Sequence, residues 1–450
     1  MNFEGMKQAL IAAAERAGIK EYEIYAQVSE SISAETLKDE ISSFSSGVGG
    51  GICFRCIVDG KMGYASGEQT DDAAMEELVA HAVSNARCID STDKVSIFKG
   101  SEHYEEIDNG ELTLTDAKTV RENALRLQKA VYAQSDKVTD GTQTAVFSEK
   151  TSMYLYNSYG LDLSNTVGVS GAYANAVVRD GEEAQEHFEL AVGKDYTDLA
   201  ALPEKTVKEA LQKFGADSVS SGSYDVLFSG KQFRAFLAAF ASVFSAKQAQ
   251  LGLSLLAGKE GERVAADIVT VTDDPMREGT SMKASFDGEG VATSRKFVIE
   301  NGILKTLLYD LTAAGKAGVE STGNGQKASY AAPVGIAPYS FSIQAGKDTE
   351  EALFAAVGDG IYITECKGFH AGSNAVTGDF SIESAGFRIR DGKLAEPIKS
   401  FTVAGNFFDL MKKIDRLGDT VEWGLPGGFT VYGSPAVLVR GMGVAGAKQE

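Results

Sequence analysis

The sequence predicts an α+β protein rich in antiparallel sheet, with an N-terminal α+β domain followed by a β-rich C-terminal domain. Three observations carry this reading. Forty-nine glycines stand against seven prolines in 450 residues, the balance of a chain with many tight turns. Short strand-like runs are joined by Asp59-Gly60, Asn301-Gly302 and Asp391-Gly392, dipeptides suited to hairpin turns with two left-handed positions. Helical periodicity is confined to a few separate segments.

Taken in order, residues 3–17 read as a helix closed by Gly18. Tyr22, Ile24, Ala26 and Val28 alternate with polar residues as a half-buried strand, and a second strand spans about 32–37. The Gly49-Gly50-Gly51 run lacks the lysine of a phosphate loop and reads as a turn at a strand edge. Residues 52–58 and 61–65 form a hairpin, and Thr70 is placed to cap a helix carrying Met75, Leu78, Val79, Ala82 and Ala86 on one face. After a polar, irregular stretch, Thr115 is placed to cap a second such helix. A meander of strands then runs from about 144 to 192, turning at Asn157-Ser-Tyr-Gly160 and Asp180-Gly181, followed by a short helix over 207–214. The serine-glycine segment 218–223 marks the main boundary. It separates an N-terminal domain, 1–222, with sub-units of about 1–92 and 115–217, from a C-terminal domain, 223–450. That second domain opens with a strand, 224–228, and a helix over 231–246 that aligns Phe233, Phe236, Leu237, Phe240, Val243 and Phe244. Strands dominate thereafter, with short helices near 311–317, 349–356 and 407–414.

Composition narrows the function. Hydrophobic content of 43% and charged content of 24% are those of an ordinary globular protein, and the length suits two or three domains. A net charge of −20 repels phosphate backbones, and the densest basic cluster, at Lys412-Lys413, is small. Direct nucleic-acid binding is therefore not expected. No signal-peptide pattern or membrane-length apolar run is present, and four cysteines make no disulfide scaffold, so a cytoplasmic setting is expected. Cys53 and Cys56 have C-x-x-C spacing but lie in a strand, where positions three apart face opposite ways, so they read as buried structural thiols.

The ordered set Phe286-Asp-Gly-Glu-Gly290, Ser321-Thr-Gly-Asn324, Thr377-Gly-Asp379, Val403-Ala-Gly-Asn406 and Ile414-Asp-Arg-Leu-Gly418 resembles the PmbA/TldD family, once associated with modulation of DNA gyrase and better regarded as peptidase-related. The resemblance covers essentially the whole chain and is densest over 274–446. In the TldD-like branch it implies an H-E-x-x-x-H zinc motif on the helix that starts here at Lys231, with a cysteine near the C-terminus. This sequence reads Phe236-Leu-Ala-Ala-Phe-Ala-Ser-Val-Phe-Ser245 on that helix, and Val421-Glu-Trp-Gly-Leu-Pro-Gly-Gly428 has no cysteine. Neither segment can hold a metal. The chain is thus similar to the PmbA/TldE branch, and the resemblance implies a subunit without its own metal or catalytic residues. Zinc would sit only on a TldD-like partner, and the pair would cleave unfolded or short peptides in an enclosed chamber. Self-pairing when the partner is absent is left open.

Candidate residues for a peptide-binding cleft are Asp287, Gly288, Glu289, Gly290, Gly323, Asn324, His370, Gly378 and Asp379. The glycines would let a peptide main chain approach and add to a sheet edge; turn geometry alone explains them equally well. Of four histidines, His81 and His103 read as solvent-exposed or in a linker and His187 lies on a strand among glutamates. Only His370 lies in a glycine-rich loop beside the motifs. Two other readings stand beside the first. One is a stand-alone peptidase using Asp287, Glu289, His370 and Asp379, although carboxylates beside glycine turns more often bind backbone amides. The other is a gyrase-associated regulator, which the charge opposes.

Overall fold

The structure, a computed structural model, describes residues 2–90, 94–193 and 199–446. The expected end of the first sub-unit, at residue 92, falls outside them.

Six antiparallel strands form the N-terminal sheet: β1 (Tyr22–Leu37), β2 (Glu40–Val58), β3 (Lys61–Gly67), β4 (Gln143–Asn157), β5 (Asp162–Asp180) and β6 (Glu183–Val192). Their order is β3-β2-β1-β4-β5-β6, so the two sub-units share one sheet through the β1–β4 pairing. Helices α1 (Phe3–Arg16) and α2 (Asp72–Cys88) pack on one half of it, and α3 (Ala117–Tyr132) and α4 (Leu202–Leu211) on the other. Strand alternation sorts the residues of β1. Ile24, Ala26, Ile32 and Ala34 point into the helix-covered cores, while Glu23 and Tyr25 point the opposite way. That opposite face receives the C-terminal half of the chain.

Several local expectations change. The strands predicted at 22–28 and 32–37 are one strand, because the intervening Ser29-Glu30-Ser31 pairs on both sides and Ser29 Oγ lies 2.9 Å from Thr151 Oγ1. The glycine run is not a turn. It lies in the middle of β2 opposite Ser29, Val28 and Gln27, and a Cβ on Gly50 would meet the Gln27 carbonyl at 2.3 Å. Gly51 accommodates the ring of Tyr330 from the C-terminal half. Asp71 and Asp116, not Thr70 and Thr115, cap α2 and α3. In each Thr-Asp pair the aspartate carboxylate takes the free amides, being the stronger acceptor. Helix α4 begins at Leu202, five residues earlier than expected, with Pro203 in its first turn.

The C-terminal half opens with β7 (Gly222–Phe228) and α5 (Gly230–Phe240). Strands Lys393–Asn406, Asp379–Arg390, Gly360–Lys367, β7, Val437–Ala445 and Ile414–Leu417 make one sheet. The first of these also pairs with Val437–Ala445, so five strands close on themselves. A second sheet has the order Ile303–Leu304, Lys296–Glu300, Val271–Asp273, Ser340–Ile343, Val431–Ser434, Glu422–Trp423. One continuous apolar core joins both sheets and α5. The long helix expected from Lys231 stops at Phe240, continues as a 3-10 turn over Ala241–Phe244, and restarts at Ala246. Ser245 is extended there, pairing with Leu308 and capping the restarted helix, yet Val243 and Phe244 remain buried. No helix among the described residues is long and apolar enough to cross a membrane.

Candidate functional site

On α5, where the resemblance would place a zinc motif, the inward face is made of rings. Phe236 meets Phe369 and Phe380 edge-on, with centroids 4.9 and 5.0 Å apart, and Phe240 stacks on Phe407 at 4.5 Å. Both are fully buried. Carbon-only side chains at packing distance offer no lone pair to a metal, so this segment does not fit zinc.

Asp287, Gly288, Glu289, Gly290, Gly323 and Asn324 converge at the junction between the two halves. A tight loop closes as Asp287 N–H donates to the Val291 carbonyl and Gly290 N–H to that of Asp287. The Asp287 carboxylate fills the loop, accepting from the amides of Glu289 (2.9 Å), Val291 (3.0 Å) and Gly325 (2.8 Å). Glu289 accepts from the Leu311 amide at 2.9 Å and faces Arg55 of β2 at 3.4 Å. Arg55 in turn binds Glu23 of β1 through two nitrogens at 2.7 Å, and Lys327 lies 3.8 Å from Glu23 and 4.4 Å from the Tyr25 ring centre. Three buried carboxylates therefore meet two cations. Burial first, and the charge of Glu289 second, raise the pKa of Asp287; burial also raises Glu289 against the opposing pull of Arg55. The pair keeps a proton that surface carboxylates lose, which balances the cluster. Gly290 sits at φ +83° with Leu161 where a Cβ would go, so this turn requires glycine. Asn324 donates to Asp273 at 2.7 Å and to the Ala337 carbonyl at 3.0 Å.

The remaining candidates lie on other elements. His370 is exposed on the one-turn helix Phe369–Gly372, and Asp379, directly after Gly378, begins the strand paired with Lys393–Asn406. Asp379 is exposed and accepts from Asn406 Nδ2 at 2.9 Å, a bond that lowers its pKa. None of the nine candidates lines the largest cleft.

That cleft, about 1100 Å³, opens between the N-terminal sheet and the C-terminal half. Strand β6 and helix α4 form one wall; the start of α5, residues 277–282 and the 422–426 loop form the other. Both β6 and Glu422–Trp423 are edge strands, paired on one side only. Seven lysines and arginines and six glutamates line it, a balance quite unlike the −20 of the whole chain. Trp423 is among its lining residues: Arg277 lies over its ring at 4.0 Å, and Arg234 Nη1 donates to its carbonyl at 2.8 Å.

On β6, in the opposite wall, His187 lies among glutamates as the sequence suggests, buried between Glu189 and Glu209 with Nε2 at 3.2 and 3.0 Å from their oxygens. These three are the described residues grouped most like metal ligands. Lys205 and Lys231 each reach Glu189 at 3.3 Å, however. Burial opposes ionisation of Glu189, but His187, Lys231 and Lys205 bring its pKa down to about 2. Burial likewise opposes charge on His187, and the two glutamates outweigh it. The group is an ion-pair network whose two carboxylates are already matched by lysine and histidine, and a dication here would face two ammonium groups, so it does not fit a metal.

Sequence reasoning passed over Arg234, Arg277, Trp423 and the His187 network. One signal was present: the chain's single tryptophan stands in a glycine- and proline-rich loop, where burying an indole for packing alone is unusual.

The PmbA/TldA metallopeptidase family matches in three consecutive pieces: domain 1 over 22–86, the central domain over 110–214 and the C-terminal domain over 221–446. An uncharacterised protein of Methanocaldococcus jannaschii is 27% identical over 96% of this chain and 98% of its own length. A Haemophilus influenzae relative named as a PmbA-homologous metalloprotease is 24% identical over 81% of this chain and 82% of its own length. Among solved structures, a Thermotoga maritima protein described as a candidate modulator of a DNA gyrase superposes with a TM-score of 0.88 at 27% identity, covering 99% of this chain and all of that one. TldE from Thermococcus kodakarensis gives 0.89 at 23% identity, covering 98% of this chain and all of that one, a likeness of fold.

Proposed function

We propose, from the premise that this chain belongs to the PmbA/TldD family of metallopeptidases, that it is the non-metal subunit of a two-subunit peptidase. It binds an unfolded or short peptide and helps enclose it, while a TldD-like partner carries the zinc and the chemistry. The observation that carries the reading is α5, whose inward face is packed with phenylalanine and which carries no histidine, glutamate or cysteine. A zinc site needs imidazole, thiolate or carboxylate donors, and these side chains have none.

The cleft supports the peptide half of the reading. Its two edge strands carry unpaired backbone groups to which an extended main chain can add. The motif residues around Asp287 contribute by fixing how the C-terminal half seats on the N-terminal sheet, since their carboxylate oxygens are already bonded to protein amides and Arg55. His370, Gly378 and Asp379, grouped near the end of one strand, remain proposed peptide contacts. The setting is cytoplasmic.

The test is cleavage of an unfolded peptide by the purified chain, alone and mixed with a zinc-motif homologue from the same cell. Turnover in the mixture far above that of either component supports the reading. Chelator-sensitive turnover by this chain alone sinks it.

A further inference from the structure

We infer that the large cleft holds a carboxylate-recognition site, built from Arg277 over the Trp423 ring and Arg234 at the Trp423 carbonyl, that receives the C-terminal carboxylate of a peptide. The inference rests on the peptide-binding reading above and adds which end of the peptide this subunit holds.

The argument begins with what the two guanidinium groups lack. Arg277 donates from Nε to Ser340 Oγ at 3.2 Å and lies over the Trp423 ring. Arg234 donates from Nη1 to the Trp423 carbonyl. Among the described residues no carboxylate oxygen lies within 4.0 Å of either, although most other arginines of the chain have such a partner. Glu422, the acid nearest Arg234 in the chain's electrostatics, is turned to the start of α5, where Oε2 accepts from the Lys231 amide at 2.6 Å. The other glutamate oxygens nearby serve His187, Lys205 and Lys231. Two like charges are thus held around one residue, partly out of water, with donors unused. Burial lowers the pKa of both arginines, and the charges of Glu422 and Glu189 near Arg234 and of Asp274 near Arg277 offset it only in part.

The fork of an arginine matches a planar carboxylate, and two forks against an indole would hold the anion while the ring covers the adjoining residue. Apolar groups next to them, Met282, Val431 and Pro426, suit an uncharged last side chain. An internal peptide segment without aspartate or glutamate carries no such anion. The site therefore distinguishes chain ends from chain middles, a selectivity suited to a subunit that handles short peptides.

Trp423 is the chain's one tryptophan, so intrinsic indole fluorescence reads this cleft and nothing else. The full-length chain is titrated with an N-acetylated, unstructured hexapeptide ending in a free carboxylate, with the same hexapeptide as its C-terminal amide, and with inorganic phosphate, each followed by fluorescence and calorimetry. The free acid is expected to shift Trp423 emission and to bind about tenfold or more tighter than the amide. Arg277→Gln and Arg234→Gln should each erase that preference while leaving the weaker amide binding in place; Arg277→Lys should keep part of it. Equal affinity for acid and amide overturns the carboxylate site while peptide binding stands. Phosphate binding tighter than the acid also overturns it, in favour of a phosphate-bearing ligand. If calorimetry detects neither peptide, this inference and the peptide-binding role both fall.

Discussion

The junction around Asp287 and the cleft around Trp423 are both polar, and both lie where the two halves of the chain meet. At the junction each carboxylate is bonded: Asp287 to three amides, Glu289 to Leu311 and Arg55, Glu23 to Arg55. In the cleft two arginines have no carboxylate within reach among the described residues. A network closed this way spends its charges on the fold, although Arg55 Nε and Tyr25 Oη make no hydrogen bond. An unsealed one leaves them for a ligand, at a cost in stability that a ligand would offset.

The first way to break this comparison is to remove a cation from each region. Arg55→Ala strands Glu23 and Glu289 in the interior and should cost about 3–5 kcal/mol in urea unfolding. Arg277→Ala, half-buried and unpaired, should cost less than about 1 kcal/mol. Equal costs would mean the two regions are not different in kind.

Gly290→Ala comes next. It places a β-carbon at φ +83° against Leu161 and should cost about 2 kcal/mol by the same measurement. A neutral result would make this turn softer than its packing implies.

The pH dependence sharpens the account of the junction. Asp287 and Glu289 titrate higher folded than unfolded, so the folded state keeps a proton that the unfolded chain releases near pH ~4. Stability from this pair is full below that point and is lost as pH rises through the raised folded value. Melting temperature should therefore fall between pH 5 and 8, and Asp287→Asn should flatten the slope while lowering stability at pH 5 through the lost Gly325 bond. An unchanged slope in that variant would place the proton elsewhere. The smallest effect expected is that of Asp116→Ala, about 1 kcal/mol from the lost cap of α3, with no change in the cleft's peptide binding.

Much of the fold was legible because its signals are local. Asp59-Gly60, Asn301-Gly302 and Asp391-Gly392 all adopt the left-handed pair that their side chains favour. Helices α2 and α3 miss only at their caps, where Asp71 and Asp116 outcompete the threonines before them, while the helix expected over 231–246 breaks at Phe240 and Ser245. What failed was non-local. Gly49-Gly50-Gly51 reads as a turn until Gln27 and Tyr330 are known to press on it. The motif residues 287–290 and 323–324 were legible as a unit, but not that their oxygens would be occupied by Gly325, Leu311 and Arg55 from other parts of the chain. The cleft was illegible for the same reason. Arg234, Arg277 and Trp423 are 43 and 146 residues apart in sequence, and only the second sheet brings them together.

The central claim is that this subunit has no metal site of its own. Its most direct test is zinc stoichiometry after equilibration with excess zinc and exhaustive dialysis, on the chain and on its His187→Ala variant. The account predicts well under one zinc per chain in both. One tightly held zinc per chain, whether or not it is lost with His187, would contradict it.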